Sequence, residues 1–208
     1  AATRPPNGQD IVDAVAAPTP TPGGGSAAAH AGALGAALVQ MVAGLTVGRK
    51  KFAPVEDAMR DAATRAAALV QRLQQLVELD AQSYAAVSAA YKLPKDTDGD
   101  RAQRDAAILA ALVGASEVPL ETARACAAVA ALAVVVAEQG NPSAVSDAGV
   151  AALLADAACR GAAYNVRINV AALSDPAPGH ALVEAASTFV DQTAASVKRV
   201  TAMVEQHL

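Results

Sequence analysis

Residues 19–51 read TPTPGGGSAAAHAGALGAALVQMVAGLTVGRKK. Pro20 and Pro22 disfavour helix at the residue before each ring. Gly23, Gly24 and Gly25 follow, with backbone angles closed to other residues, and then Ser26, a good helix N-cap. From Ser26 to about Val47 nearly every position is Ala, Gly, Leu or Val, the pattern of a helix covered on most sides by other helices. Gly48, Arg49, Lys50 and Lys51 close it, and cations suit the C-terminal end of a helix dipole. A glycine loop feeding a helix N-terminus exposes unpaired N–H groups that suit an anion or a carbonyl-rich ligand. The plainer reading is a tight turn that starts a buried helix.

The rest of the chain supplies the covering helices. Aromatic residues are only 2% of the 208 residues and tryptophan is absent, while alanine makes up roughly a quarter. The core must therefore come from close packing of small side chains. Long alternating Val/Ile/Thr runs are missing and alanine has the best helix propensity, so the fold class is all-α, a single-domain bundle of about six helices. A short helix is expected from about Gln9 to Ala16, and the long one from Ser26. A second long helix should run from Pro54 to about Tyr91. Separate helices are read over Arg101–Ala115 and Glu117–Glu138, with Ser116 as cap and Pro119 in the first turn. Ser146 is read as the cap of a helix from Asp147 to about Leu173, and the last helix spans about Gly179 to Leu208. Small apolar residues on several faces predict that helices also pack against a second subunit.

The net charge of -4 leaves no basic face for nucleic acid. Cys126 and Cys159 lie in apolar surroundings without CxxC or Cys/His spacing, and read as buried thiols in a reducing compartment. Ala125–Ala137 is too short to cross a bilayer, and Ser26–Val47 is mostly Ala and Gly, so both read as buried helices. The N-terminal stretch has no long apolar core of a leader. The expected setting is soluble and cytoplasmic, with no membrane partner.

The glycine loop lacks the GK[ST] ending of a P-loop, and TPTP is no strand for a dinucleotide fold. His30, His180 and His207 are scattered, so no metal site is expected. The DTDGD run at 96–100 lacks the full calcium-loop pattern. Asp147 stands between a Gly-Asn-Pro break and an alanine-rich helix, where an acid in the first turn also serves the dipole. Asp80 falls in line with Leu69, Leu73 and Leu76, sharing a face with Tyr84; a polar group there signals a buried hydrogen bond or a site. Asn165 and Asn169, poor helix formers four apart on an apolar helix, need a reason.

PTPGGGSAAA at 20–29, MVAGLTVGRKK at 41–51, LPK at 93–95, EVPL at 117–120, GNPSAVSDAGVAALL at 140–154 and NVRIN at 165–169 occur in that order. Together they resemble the cyclodeaminase/cyclohydrolase family of folate one-carbon enzymes, over nearly the whole chain. The resemblance implies a helical protomer that forms a homodimer and binds a folate in a cleft near the subunit contact. It puts the family's key aspartate, in the Ser-Asp-x-Gly-Val motif, on Asp147, with Pro142 and Ala144 as departures in the loop before it. Under that resemblance Gly23, Gly24, Gly25 and Ser26 form a wall of the folate cleft, and Asp80 pairs with the pterin's amino and N3–H donors. Lys50 and Lys51 are expected to hold the glutamyl tail, and Asn165 and Asn169 to bond the substrate or the loop before Asp147.

Two reactions fit the resemblance. Water adds to the bridging carbon of 5,10-methenyltetrahydrofolate and the ring opens to 10-formyltetrahydrofolate, or N10 attacks a 5-formimino carbon and ammonia leaves. Neither requires a metal or redox cofactor, and Asp147 is expected to act as an orienting and stabilising anion. The hydrolase leads, because the domain stands alone and LPKDTD and VSDAGVA look closest to free-standing bacterial cyclohydrolases. A non-catalytic helical oligomerisation module is the reading from another class.

Overall fold

The structure, a computed structural model, describes residues 8–207. Residues 1–7, where no leader is expected, and Leu208, the expected end of the last helix, lie outside the described residues. Six α-helices follow one another: α1 (Gly8–Ala16), α2 (Gly24–Gly44), α3 (Glu56–Tyr91), α4 (Asp98–Gln139), α5 (Val145–Ala171) and α6 (His180–Glu205). Short 3-10 turns at Lys50–Val55, Pro142–Ala144 and Ala177–Gly179 link them, and no strand occurs among the described residues. The fold is all-α.

Helix α2 packs on α3 and α5, α4 closes the ring between those two, and α6 lies over α4 and α5. The glycines and alanines of α2 make this possible. A Cβ at Gly32 would lie 2.7 Å from Cys126 Sγ and 3.2 Å from Leu73, so the missing side chain lets α2 approach α3 and α4 closely. On the other flank, a Cβ at Gly35 would stand 3.0 Å from the Ala151 carbonyl. Ala29, Ala36, Val39 and Val42 are fully buried between these contacts, together with Leu73, Val129 and Val166. Met59 heads the largest fully buried side chains, so this core is one of small residues at short helix separations.

Both α2 and α4 are long and apolar enough to cross a membrane, with 50% and 67% of their most apolar windows buried inside the bundle. Cys126 and Cys159 are buried and free. Burial raises both thiols, that of Cys159 to about 11, so both stay protonated near neutrality.

Three helix starts differ from expectation. Helix α2 begins at Gly24 with extended Gly23 as its cap; Ser26 stands inside the first turn, fully buried. Helix α5 begins at Val145 behind a 3-10 turn capped by Asn141, whose side chain accepts from Ser143 N, so Ser146 is not the cap. The two helices read over 101–115 and 117–138 are one, α4, started by Thr97. The Thr97 hydroxyl accepts from Asp100 N at 3.1 Å and the Asp100 carboxylate accepts from Thr97 N at 3.1 Å, so the acidic run at 96–100 builds a capping box.

Ser116 is no cap either: it is buried in mid-helix and donates to the Leu112 carbonyl at 2.8 Å. Helix α4 continues through Pro119, which has no N–H and leaves the Ala115 carbonyl without its usual donor. Asn169 Nδ2, on α5, donates to that carbonyl at 2.7 Å. A poor helix former on α5 thus repairs the gap in α4. Asn169→Ala is expected to cost about 1–3 kcal/mol, the penalty of an orphaned carbonyl. Adding Pro119→Ala should recover most of it, because residue 119 then supplies its own amide. Urea midpoints of the four-member cycle read this coupling, and equal losses from Asn169→Ala in both backgrounds would refute it.

Candidate active-site cleft

Asp80 is held on the first turn of α2. Ser26 Oγ donates to Asp80 Oδ2 at 2.8 Å, with the Val77 carbonyl at 3.3 Å as a weaker acceptor. The carboxyl group lies directly against Gly25, where an added Cβ would stand 2.7 Å from Asp80 Cγ. Ser83 Oγ donates to the Asp80 carbonyl at 2.8 Å. Glycine at 25 and a buried hydroxyl at 26 therefore fix one orientation of a half-buried carboxylate.

Helix α5 brings Asn165 to the same level. A Cβ at Gly161 would meet Ala28 at 3.4 Å, and Asn165 follows one turn later, abreast of Gly24. Its amide donates to the Gly161 carbonyl at 2.9 Å. Helices α3 and α5 both run on past the first residue of α2, to Tyr91 and Ala171, so the start of α2, with the turn of residues 19–23 leading into it, lies in the slot between their C-terminal parts. The structure thus groups Gly23, Gly24, Gly25, Ser26, Asp80 and Asn165, while the side-chain amide of Asn169 is committed to α4.

Asp147, Lys50 and Lys51 lie elsewhere. Helix α5 runs antiparallel to α2, since Gly161 meets Ala28 and Gly35 meets Ala151 and Ala155. Asp147, in the first turn of α5, is therefore level with the C-terminal part of α2, about 20 Å along the axis from Ser26. Asn141 N donates to the buried Thr46 Oγ1 at 2.9 Å, pinning the start of α5 to the end of α2. Sequence reasoning missed Thr46, a hydroxyl in an apolar segment whose partner is 95 residues away. Lys50 and Lys51 are exposed on the 3-10 turn beyond α2, with Lys51 Nζ 5.2 Å from the Phe52 ring centre. Within one protomer, the chemical aspartate read from the sequence and the glycine loop do not meet.

Exposed large hydrophobic residues lie between these two ends. Eight of the twelve exposed large hydrophobic residues among those described sit on α1, α2 and α5, and a ninth, Leu45, directly follows α2. Leu34, Met41 and Leu45 line α2, with Val150, Leu153 and Ile168 on the neighbouring α5. Helix α1 leans on α2 and leaves a groove of about 380 Å³ between Val12, Val15, His30 and Leu34. A groove of about 460 Å³ lies between α3, α4 and α6, and its Arg72 and Arg124 both pair with Glu121, at 3.6 and 2.7 Å. No group of three His, Cys, Asp or Glu that could hold a metal ion occurs among the described residues.

These features define an all-helical bundle with a carboxylate held against a glycine-rich helix start. The chain belongs to the formiminotransferase-cyclodeaminase family, whose model matches residues 7–188. It is 46% identical over 169 residues to the methenyltetrahydrofolate cyclohydrolase of Methylorubrum extorquens, covering 81% of each chain. It is 38% identical over 165 residues to the formimidoyltransferase-cyclodeaminase of Rattus norvegicus, covering 79% of this chain and 30% of that longer protein. The crystal structure of formiminotetrahydrofolate cyclodeaminase from Thermotoga maritima superposes with a TM-score of 0.87 at 29% identity, over 97% of both chains.

Proposed function

We propose that the protein is a folate one-carbon enzyme that hydrolyses 5,10-methenyltetrahydrofolate to 10-formyltetrahydrofolate. The observation that carries this reading is the 46% identity, over 81% of both chains, to a protein named for that reaction. Water adds to the cationic bridging carbon and gives up a proton, and the tetrahedral adduct expels N5 with the formyl group left on N10. Cation plus water becomes neutral product plus one proton, so the chemistry needs an anion near the carbon and a path for protons, and no redox partner.

The cleft supports substrate binding through Asp80, whose carboxylate, steadied by Ser26, suits the paired amino and N3–H donors of a pterin edge. Asp147 is the anion proposed for the reacting carbon, and it reaches the cleft in a homodimer. A two-fold axis midway between the levels of Gly25 and Asp147 passes beside Leu34, the exposed leucine halfway along α2. Antiparallel pairing of α2 with its copy there covers apolar surface and brings Asp147 of the partner subunit to the cleft of the first protomer. Lys50 and Lys51 are the proposed holders of the glutamyl tail, and the enzyme acts in the cytoplasm without a cofactor, a membrane or nucleic acid.

The test is the loss of methenyltetrahydrofolate absorbance above its uncatalysed hydrolysis, run beside ammonia release from the 5-formimino compound. Catalysed loss of absorbance is expected. Ammonia release without hydrolysis would instead establish the cyclodeaminase, the second reading, which the likeness to the Thermotoga maritima enzyme supports. Silence in both assays would overturn the enzyme reading.

A further inference from the structure

Asp80 and the glycine turn address only the edge of a flat bicyclic substrate, and its faces need a surface of their own. Aromatic rings are scarce material in this chain, with three tyrosines, two phenylalanines and no tryptophan. Tyr84 is nevertheless left 48% exposed, one turn beyond Asp80. The stripe of α3 that faces α2 runs through Ala66, Leu73 and Asp80 at seven-residue intervals. Ala66 and Leu73 are fully buried, Leu73 meets Gly32, and Asp80 meets Gly25. Tyr84 continues that stripe about 6 Å further along the helix.

Helix α2 has already ended there, since its first residue, Gly24, is level with Asp80. The ring therefore stands on the wall of the slot that α2 fills lower down. The facing helix, α5, presents Asn165 and Ile168, the latter 67% exposed. Nearly half of the Tyr84 surface is open there, which leaves its ring accessible to the face of a flat ligand.

We infer that Tyr84 is the stacking wall of this slot, packing its ring on one face of a planar heterobicyclic ring whose polar edge pairs with Asp80. This rests on the folate reading above and adds a positioning residue to it. Tyr84→Leu keeps an apolar, helix-favouring side chain but removes the ring; Tyr84→Phe keeps the ring and removes the hydroxyl.

Two readouts test the inference: steady-state hydrolysis, and equilibrium binding of 5-formyltetrahydrofolate as a non-reacting probe. Tyr84→Leu is expected to raise KM and the probe's Kd about tenfold with kcat within about twofold, the scale of a lost aromatic stack. Tyr84→Phe should stay within about twofold of wild type throughout. Wild-type KM and Kd in Tyr84→Leu, a loss confined to kcat, or an equal loss in Tyr84→Phe would each overturn the stacking role and leave the folate reading intact. A wild-type protein that neither turns over the substrate nor binds the probe would sink the folate reading, and this inference with it.

Discussion

Gly25→Ala is expected to lower kcat/KM for methenyltetrahydrofolate by about two orders of magnitude without lowering the unfolding midpoint. The new methyl group would stand 2.7 Å from Asp80 Cγ, closer than packed carbons tolerate, and the nearest movable group is the carboxylate itself. Its displacement breaks the 2.8 Å bond from Ser26 and swings the oxygens proposed to pair with the pterin away from the slot. An ångström of misplacement at a binding group costs about 10² in rate when the reacting atoms are positioned through it. Stability should not suffer, because the gain of about 1 kcal/mol for alanine over glycine inside a helix offsets the lost hydrogen bond, which is worth about the same. Gly114→Ala, in the middle of α4 and away from the cleft, is the control: nothing lies within 4 Å of a Cβ there, so activity should remain near wild type. Full activity in Gly25→Ala would mean that the orientation of Asp80 does not matter.

Asp147→Asn should remove turnover almost completely while the protein stays folded, since asparagine keeps the shape and loses the charge proposed to face the cationic carbon. On the scale of a lost stabilising group in a preorganised site, the expected fall in kcat is about 10²–10³. The proposed homodimer adds a sharper test. Asp80→Asn and Asp147→Asn proteins, each inactive alone, are unfolded together, refolded and assayed. If each cleft takes its second aspartate from the partner subunit, a mixed dimer contains one doubly altered site and one intact site. Random pairing of equal amounts then restores about one quarter of wild-type activity. No restoration, with mixed dimers demonstrated by size and mass, would mean that both aspartates serve the same protomer. An active Asp147→Asn protein would remove Asp147 from the chemistry.

The helical class, the course of α2, α3 and α5 and the family were legible in the sequence because each rests on local signals. Those signals are the glycine run before an alanine-rich helix, the Leu69–Leu73–Leu76 stripe, the Gly-Asn-Pro break and six motifs in order. Pro119 misled for a physical reason. A proline within a helical pattern normally marks a first turn, and the group that makes it tolerable in mid-helix, the Asn169 amide, is fifty residues away on another helix. The same remoteness explains Ser26, which looked like a cap and serves instead as a buried donor to Asp80 on α3. Which aspartate meets the glycine loop was not readable either. It depends on the antiparallel run of α2 and α5, which puts Asp147 at the far end of α2 although both flanking motifs are intact.

Gly32 acts as a shim of zero thickness. Helix α2 rests at that point on Leu73 and Cys126 with no side chain in between, and seven residues earlier the same helix rests on Asp80. The depth of the cleft is thereby calibrated from the interior of the protein. A methyl group at 32 would tilt or lift α2 as a rigid rod and carry Gly25 and Ser26 away from the carboxylate they hold. Geometry at the candidate site can thus be retuned by residues that never approach it, and the thinness of this alanine-built core is part of that site's own construction.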